Sequence, residues 1–245
     1  MADQIIAIGT GHLRGLDFPS NSGVAGNSVR FKFTGAALLP IFDATYIWRI
    51  RPRQQNGYYT TFFWGNDGTF LWDSGSPNTY YGAHPYPDTP PSGSTHKWEI
   101  SVGGGDFVSA EAVVKDVWYQ QVLRVWADGS GKHHEFYWDW PDTGRLITRT
   151  ESTGWANTNP PSPALTFGDA PWNPGNESLS GVLRGLQLYN SLLNLTQIAN
   201  EVSAPGGITP WYLNLDPTPT DINDKSGSGH HPTWHNSNRP TLWAG

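Results

Sequence analysis

The chain reads as an all-β protein, a sandwich of two antiparallel sheets with one short helix, and three observations carry that reading. Gly 28 and Pro 20 recur without a period, which marks frequent turns between short elements. Aromatic residues are abundant, with 13 Trp, 10 Tyr and 10 Phe against one Met, and rings of this kind favour strands over helices. The apolar residues alternate with polar ones in short runs, the period of a half-buried strand. At 245 residues, 37% hydrophobic and 15% charged, the chain can bury a sizeable core as one sandwich domain. We assign residues 1–215 to that domain and 216–245 to a loop-like C-terminal extension or arm.

Strand signals begin at residues 4–8 and become clear at 28–33, where Val29, Phe31 and Phe33 share one face and Arg30 and Lys32 the other. Residues 44–51 and 58–64, followed after Asp67-Gly68 by 69–72, read as a meander, since Asn56-Gly57 and Asp-Gly supply the positive φ of hairpin turns. Arg49, Arg51 and Arg53 recur at period two and read as the solvent face of their strand. Residues 73–95 are dense in Gly and Pro and read as a long loop. Strands resume at 97–102 and 117–126, and the latter turns at Asp128-Gly129 into 133–140 to form a hairpin. After a Pro- and Asn-rich loop at 153–163 come strands at 164–168 and 181–189. Leu195, Ile198, Ala199 and Val202 then recur at helical spacing behind Asn194 as cap, and a last strand spans 211–215.

Several function classes are disfavoured by composition. The chain has no cysteine, so disulfides and thiolate chemistry play no part. A formal charge of −6 argues against a nucleic-acid surface, which needs clustered Lys and Arg. No apolar stretch approaches a membrane span, and the N-terminus lacks the basic start and apolar run of a signal peptide, so synthesis in a cytoplasm is expected.

The segments LTFGDAPW and LSGVLRGLQLYNSLLNLTQIANEV run as a strand and loop, a Gly that opens an alternating strand ending in Tyr-Asn, and a short capped helix. This order resembles the closing portion of a laminin G-like or pentraxin-like domain of the concanavalin A-like lectin/glucanase superfamily. Residues 46–51 and 58–64 resemble its paired central strands, and the hairpin at 118–140 precedes the closing region as it does there. The segment LNLDPTPTDINDKSGSGHHPTW is similar to a stretch that such domains carry near their start, here displaced to the end. The resemblance implies a jelly roll with a concave face and rim loops, and a range of functions covering sugar binding, glycoside hydrolysis, calcium-dependent binding and adhesion, so function has to be argued from the site.

A glycosidase needs two facing carboxylates. The Glu-x-Asp-x-x-Glu strand of the superfamily's hydrolases is absent, which leaves Glu135 with Asp139, and Glu99 alone. No Gly-x-Ser-x-Gly nucleophile motif appears; histidines cluster at 133–134 and at 230, 231 and 235, and the second group, in a loop-like segment, reads as solvated loop residues rather than a metal site. No cofactor is implied beyond calcium, for which Asp221, Asn223 and Asp224 are the weak candidates. Trp48, Trp98, Trp118 and Trp126 lie on strands and read as core. Tyr80, Tyr81, Tyr86, Trp155 and Trp172 lie among Pro, Gly and Asn, and Trp234 and Trp243 lie in the tail. These seven rings are the candidates for ligand or interface contact.

The expected function is therefore non-enzymatic: a homo-oligomeric virion protein of a tailed bacteriophage, in capsid decoration or tail-associated adhesion, binding virion proteins and glycans. A free carbohydrate-binding lectin-like protein is the alternative, and a glycoside hydrolase the third reading.

Overall fold

A computed structural model describes residues 14–19, 25–53, 61–67, 81–86, 97–102, 105–151, 162–171 and 174–245. The expected strands at residues 4–8 and 69–72 lie outside these. In chain order the first strands are β1 (Gly15–Phe18), β2 (Phe31–Phe33), β3 (Ala44–Pro52), β4 (Phe62–Asn66) and β5 (Tyr81–Tyr86). β6 (Lys97–Val102), β7 (Gly105–Ala112), β8 (Tyr119–Asp128), β9 (Gly131–Tyr137) and β10 (Leu146–Glu151) follow. β11 (Pro163–Phe167) and β12 (Gly181–Tyr189) lead to helix α1 (Leu195–Ser203), then β13 (Tyr212–Asn214), β14 (Thr233–Trp234) and β15 (Thr241–Trp243).

The strands form two antiparallel sheets, the first in the order β10-β9-β8-β3-β12-β1-β15 with β13 also on β12, the second in the order β14-β2-β11-β4-β5-β6-β7. This is the two-sheet sandwich that the alternation predicted and the jelly roll that the resemblance implied. Period two sends Tyr46, Trp48 and Ile50 of β3 inward, where they meet Phe62 and Phe167 of the opposite sheet. Trp48 is the centre of that contact. Its indole stacks on Phe62 (centroids 5.8 Å apart, 9°) and Phe136 (6.2 Å, 18°), and its Nε1 donates to Gln121 Oε1 at 2.8 Å. A buried indole whose N–H has a partner contributes its full apolar area without a desolvation penalty.

Four sequence expectations are corrected. Residues 44–51 and 58–64 do not pair: β3 lies in the first sheet between β8 and β12, and β4 in the second between β11 and β5. Adjacent strand signals do not say which sheet a strand joins. The stretch read as a loop at 73–95 contains β5, which pairs with β4 and β6. β4 begins opposite Ala83, and β5 continues along β6 through Pro85 and Tyr86. Trp118 and Trp126 are half-buried rather than core, because the odd-numbered residues of β8 face inward and Trp126 shares the outer face with Arg124. Residues 216–245, loop-like in composition, supply β14 on β2 and β15 on β1, one strand to each sheet.

The helix forms where its spacing placed it. Asn194 accepts from the Gln197 amide and the Gln197 side chain accepts from the Asn194 amide, a capping box that satisfies two N-terminal donors. Ile198 and Val202 pack α1 onto Ile47, Val122 and Tyr189, which lie on the outer face of the first sheet. The helix thus covers one end of that face and leaves the other open.

Candidate functional site

The open part of the outer face carries a row of polar side chains aligned by the ladder. Gln120 of β8 lies opposite Arg49 of β3, and Arg49 lies opposite Arg184 of β12. Toward the edge Trp243 of β15 pairs with Gly15 of β1. A Cβ on Gly15 would stand 2.7 Å from Val182 Cγ1 and 3.4 Å from Arg184 Cβ, so the bare glycine leaves room for the large side chains beside it. Trp118, just before β8, meets Trp243 edge to face (5.2 Å, 67°), and the Arg184 guanidinium lies 4.0 Å over the Trp118 ring and 5.1 Å from that of Trp243.

A bulge opens the row. The β12 register shifts between Arg184 and Gln187, and Gly185 takes the left-handed backbone (φ 66°) that a bulge of this type requires. The extra residue changes parity, so that Leu183, Leu186 and Leu188 all face the core while Arg184, Gln187 and Tyr189 face outward. Above the bulge is a pocket of about 50 Å³ between Arg49, Gln120, Gly185 and Gln187 on the sheet and Val202 and Pro205 at the end of α1, with Leu215 at its side.

Gln120 Oε1 accepts from Arg49 Nε (2.7 Å) and Gln120 Nε2 donates to the Trp48 carbonyl (2.9 Å). Gln187 Oε1 lies 2.7 Å from the Tyr189 hydroxyl. The Gln120 acceptor is therefore engaged inside the protein, while the one Tyr189 proton is shared between Gln187 Oε1 and Glu201 Oε2, each 2.7 Å away. The Arg49 terminal nitrogens and Gln187 Nε2 have no partner among the described residues. Burial lowers the pKa of Arg49, and burial together with the facing Arg49 pushes Arg184 down to about 10 against the opposing pull of Asp216. Both stay charged at neutral pH. Two cations directly opposite each other on a ladder destabilise the sheet, so the row costs stability rather than providing it.

The structure disperses the candidates read from the sequence. Trp234 packs edge to face on Phe31 (5.6 Å) with the Arg239 guanidinium 4.9 Å over its ring, so it holds the tail to the chain's own second sheet. Among the described candidates, Trp243 joins the row and Trp234 does not. Tyr81 and Tyr86 lie on β5, opposite Val102 and Lys97 of β6. Tyr80, Trp155 and Trp172 lie outside the described residues. Sequence reading missed Arg49, Gln120, Arg184 and Gln187, for which the available signal was Gly185, a glycine inside an otherwise regular strand.

The calcium candidates are committed elsewhere. Asp224 accepts from the Leu213 and Ser226 amides through Oδ1 (3.0 and 2.8 Å) and from the His230 amide through Oδ2 (3.1 Å). Burial opposes its ionisation, but these donors and the Ser226 hydroxyl outweigh it and hold its pKa below the usual carboxylate range. Asp221 pairs with Lys225 Nζ at 2.6 Å, and Asn223 donates its amide to Asp221. A carboxylate that already receives three amides, beside a lysine ammonium, does not fit a calcium site. The histidines diverge. His230 stacks on Trp211 (3.5 Å, 8°), His231 Nδ1 accepts from the Asp224 amide at 3.1 Å, and His235 lies 3.1 Å from Arg30 Nη2.

The glycosidase carboxylates are likewise in separate ion pairs, Glu135 with Arg124 and Asp139 with Arg145, while Glu99 is buried on β6. Asp128, Ser130 and His133 adjoin one another in the β8–β9 turn, but Ser130 Oγ (3.1 Å) and Asp128 Oδ1 (3.0 Å) both meet His133 Nε2. A nucleophilic relay needs them on opposite ring nitrogens.

Comparison with known proteins places the fold. No protein-family model and no curated protein sequence matches the chain. Among solved structures, the native heptameric SAP-like pentraxin from Limulus polyphemus superposes with a TM-score of 0.54 at 14% identity, over 96% of this chain and 95% of that one. A proposed carbohydrate binding protein from Bacteroides ovatus gives 0.58 at 13% identity over 95% of this chain and 60% of that one. The extracellular region of zebrafish Gpr126/Adgrg6 gives 0.53 at 13% over 95% or less of either, namely 94% of this chain and 26% of that one. At these identities the likeness establishes the fold alone: the chain is a jelly-roll β-sandwich.

Proposed function

We propose that the protein is a non-enzymatic glycan-binding adhesion module that engages sugars with the outer face of its first sheet. The observation that carries this reading is the Trp118–Trp243 ring pair with the Arg184 guanidinium over it, beside the β12 bulge on the outer face of the first sheet. Aromatic rings with a polar neighbour stack on sugar faces, and the small apolar pocket over the bulge opens on the same face of the sheet. The ion-paired states of Glu135 and Asp139 favour binding over hydrolysis. A glycan array read with the wild type and with Trp118→Ala tests it: selective signals that the variant loses support the reading, and an empty array sinks it.

The setting we propose is the particle of a tailed bacteriophage, as a capsid decoration or tail-associated adhesion protein in a homo-oligomer. Support comes from a cysteine-free chain that needs no oxidising compartment, and from the symmetric assembly that virion proteins adopt, the Limulus pentraxin being itself a heptamer. Peptides of this chain in purified particles, together with a multiple of the 27.0 kDa mass by light scattering, are the expected results. A monomer absent from particles leaves the free lectin.

A further inference from the structure

We infer that the pocket over the β12 bulge takes the methyl end of an acetamido group on a sugar, which names the ligand class for the glycan-binding reading above and rests on it. The inference starts from the walls. Val202 and Pro205 at the end of α1 and Leu215 after β13 stand around Gly185, and Arg49, Gln120 and Gln187 complete a lining that is almost wholly apolar, so they present their hydrocarbon stems to it. Gly185 leaves the floor bare: a Cβ built there would have only Arg49 Cγ within 4 Å, at 3.9 Å. The Gln120 amide is turned away to Arg49 Nε and the Trp48 carbonyl. A hydroxyl entering such a space gives up its water without gaining a hydrogen-bond partner, whereas a methyl group gains by leaving water. The pocket therefore selects against the bare hydroxyls of a sugar ring and for an apolar substituent.

Size narrows the choice. An apolar cavity of about 150 Å³ takes one benzene ring, so a pocket of about 50 Å³ takes about two carbon atoms. That volume excludes a pyranose ring. It matches an acetyl group, which places its methyl and carbonyl carbons inside and keeps the amide oxygen and N–H at the mouth, in water. A 6-deoxy sugar brings a single carbon held directly on its ring and fills the space less well. The sugar that carries the acetamido group then lies on the outer face of the first sheet, where the Trp118–Trp243 pair is also found: Gly185 adjoins Arg184, whose guanidinium lies 4.0 Å over Trp118.

Methyl-detected NMR titration of the intact protein reads the site directly at Val202 and Leu215. The probes are N-acetylglucosamine, N-acetylgalactosamine and N-acetylmannosamine, each beside its parent hexose, with fucose as the 6-deoxy control and the N-propionyl analogues for size. The expected result is that at least one N-acetylhexosamine shifts both signals and binds about fivefold more tightly than its parent hexose and than fucose. Leu215→Ala widens a half-buried wall and is expected to move the preference about fivefold toward the N-propionyl analogue. Parent hexoses or fucose that bind as well as the N-acetyl sugars, or an unchanged acyl preference in Leu215→Ala, overturn the acetamido assignment and leave the glycan reading intact. Array signals that Trp118→Ala loses, with no N-acetylhexosamine moving Val202 or Leu215, do the same. If the array is empty and no sugar moves these signals, the glycan reading fails and the inference with it. Should Leu215→Ala not fold, the wild-type ranking against the parent hexoses and fucose carries the decision.

Discussion

The Tyr189 hydroxyl lies 2.7 Å from Glu201 Oε2 on α1 and 2.7 Å from Gln187 Oε1 on its own strand. This contact joins the helix to the binding face. Glu201 is buried at 1% exposure and its other bonds come from the Gly206 and Ile208 amides, so its carboxylate organises the turn that forms one wall of the pocket. Tyr189→Phe removes one donor from a buried carboxylate and frees Gln187 to rotate. We expect a loss of about 1–3 kcal/mol in urea unfolding, together with weaker ligand binding. Unchanged stability would show that the hydroxyl is dispensable to both.

Gly168 separates backbone strain from crowding. Its φ is +105°, and a Cβ there would stand 2.3 Å from Phe18 Cε1 and 2.9 Å from the Val29 carbonyl oxygen. Gly227 has a similar φ of +86° with nothing within 4 Å. Gly227→Ala should cost only the conformational strain, about 1 kcal/mol, and Gly168→Ala about 3 kcal/mol once the clash is added. Equal costs in thermal unfolding would mean that the Phe18 ring moves aside freely.

Burial of His134 on β9 sets a pH dependence. Desolvation, reinforced by the charges of His133, Arg149 and Lys132, lowers its pKa to about 3, against an ordinary value near 6.5. Between those values the unfolded chain holds a proton that the folded chain refuses. Stability is therefore full above about pH 6.5 and falls as the pH drops toward 3, by up to ~1.4 kcal/mol per pH unit. Asp224, held below the ordinary carboxylate value, adds its own loss only below about pH 4. Denaturant titrations at pH 7 and pH 5 should differ more for the wild type than for His134→Gln, in which only the smaller contribution of His235, also lowered by burial, remains.

The C-terminal segment is fastened to the sandwich at several points. Tyr212 donates to the Ile222 carbonyl at 2.9 Å, Ile222 is buried in the core, and Asn236 Nδ2 donates to the Ser28 carbonyl at 3.0 Å. A chain ending at Leu215 should lose its cooperative thermal transition, because the first sheet loses β15 and the second loses β14. Asp224→Ala, which removes the acceptor of three amides but keeps the segment, should lower stability by about 2–4 kcal/mol. Wild-type melting of the truncated chain would make residues 216–245 a dispensable arm.

What could be read along the chain was what depends on near neighbours. Alternation at 44–51 gave β3 and its inward face, the Asp128-Gly129 turn gave the β8–β9 hairpin, and Asn194 gave the start of α1. β5 was hidden because its Gly and Pro content speaks for a turn while two neighbouring strands hold it extended. Trp118 and Trp126 were misplaced for a related reason: ring size argued for burial, and strand parity together with the tail decided otherwise.

The binding face shows the same division. Sequence alone determined the sheet class, the inward face of β3, the capped helix and the presence of unusual glycines, because backbone propensity and period-two alternation act over a few residues. Tertiary structure alone decided that Gln120, Arg49 and Arg184 stand in one row, that the Gly185 bulge opens a pocket among them, and that Trp243 comes to rest on Trp118. Those positions follow from ladder register between strands far apart in the chain. Register is fixed by the packing of both sheets at once, and no local pattern encodes it.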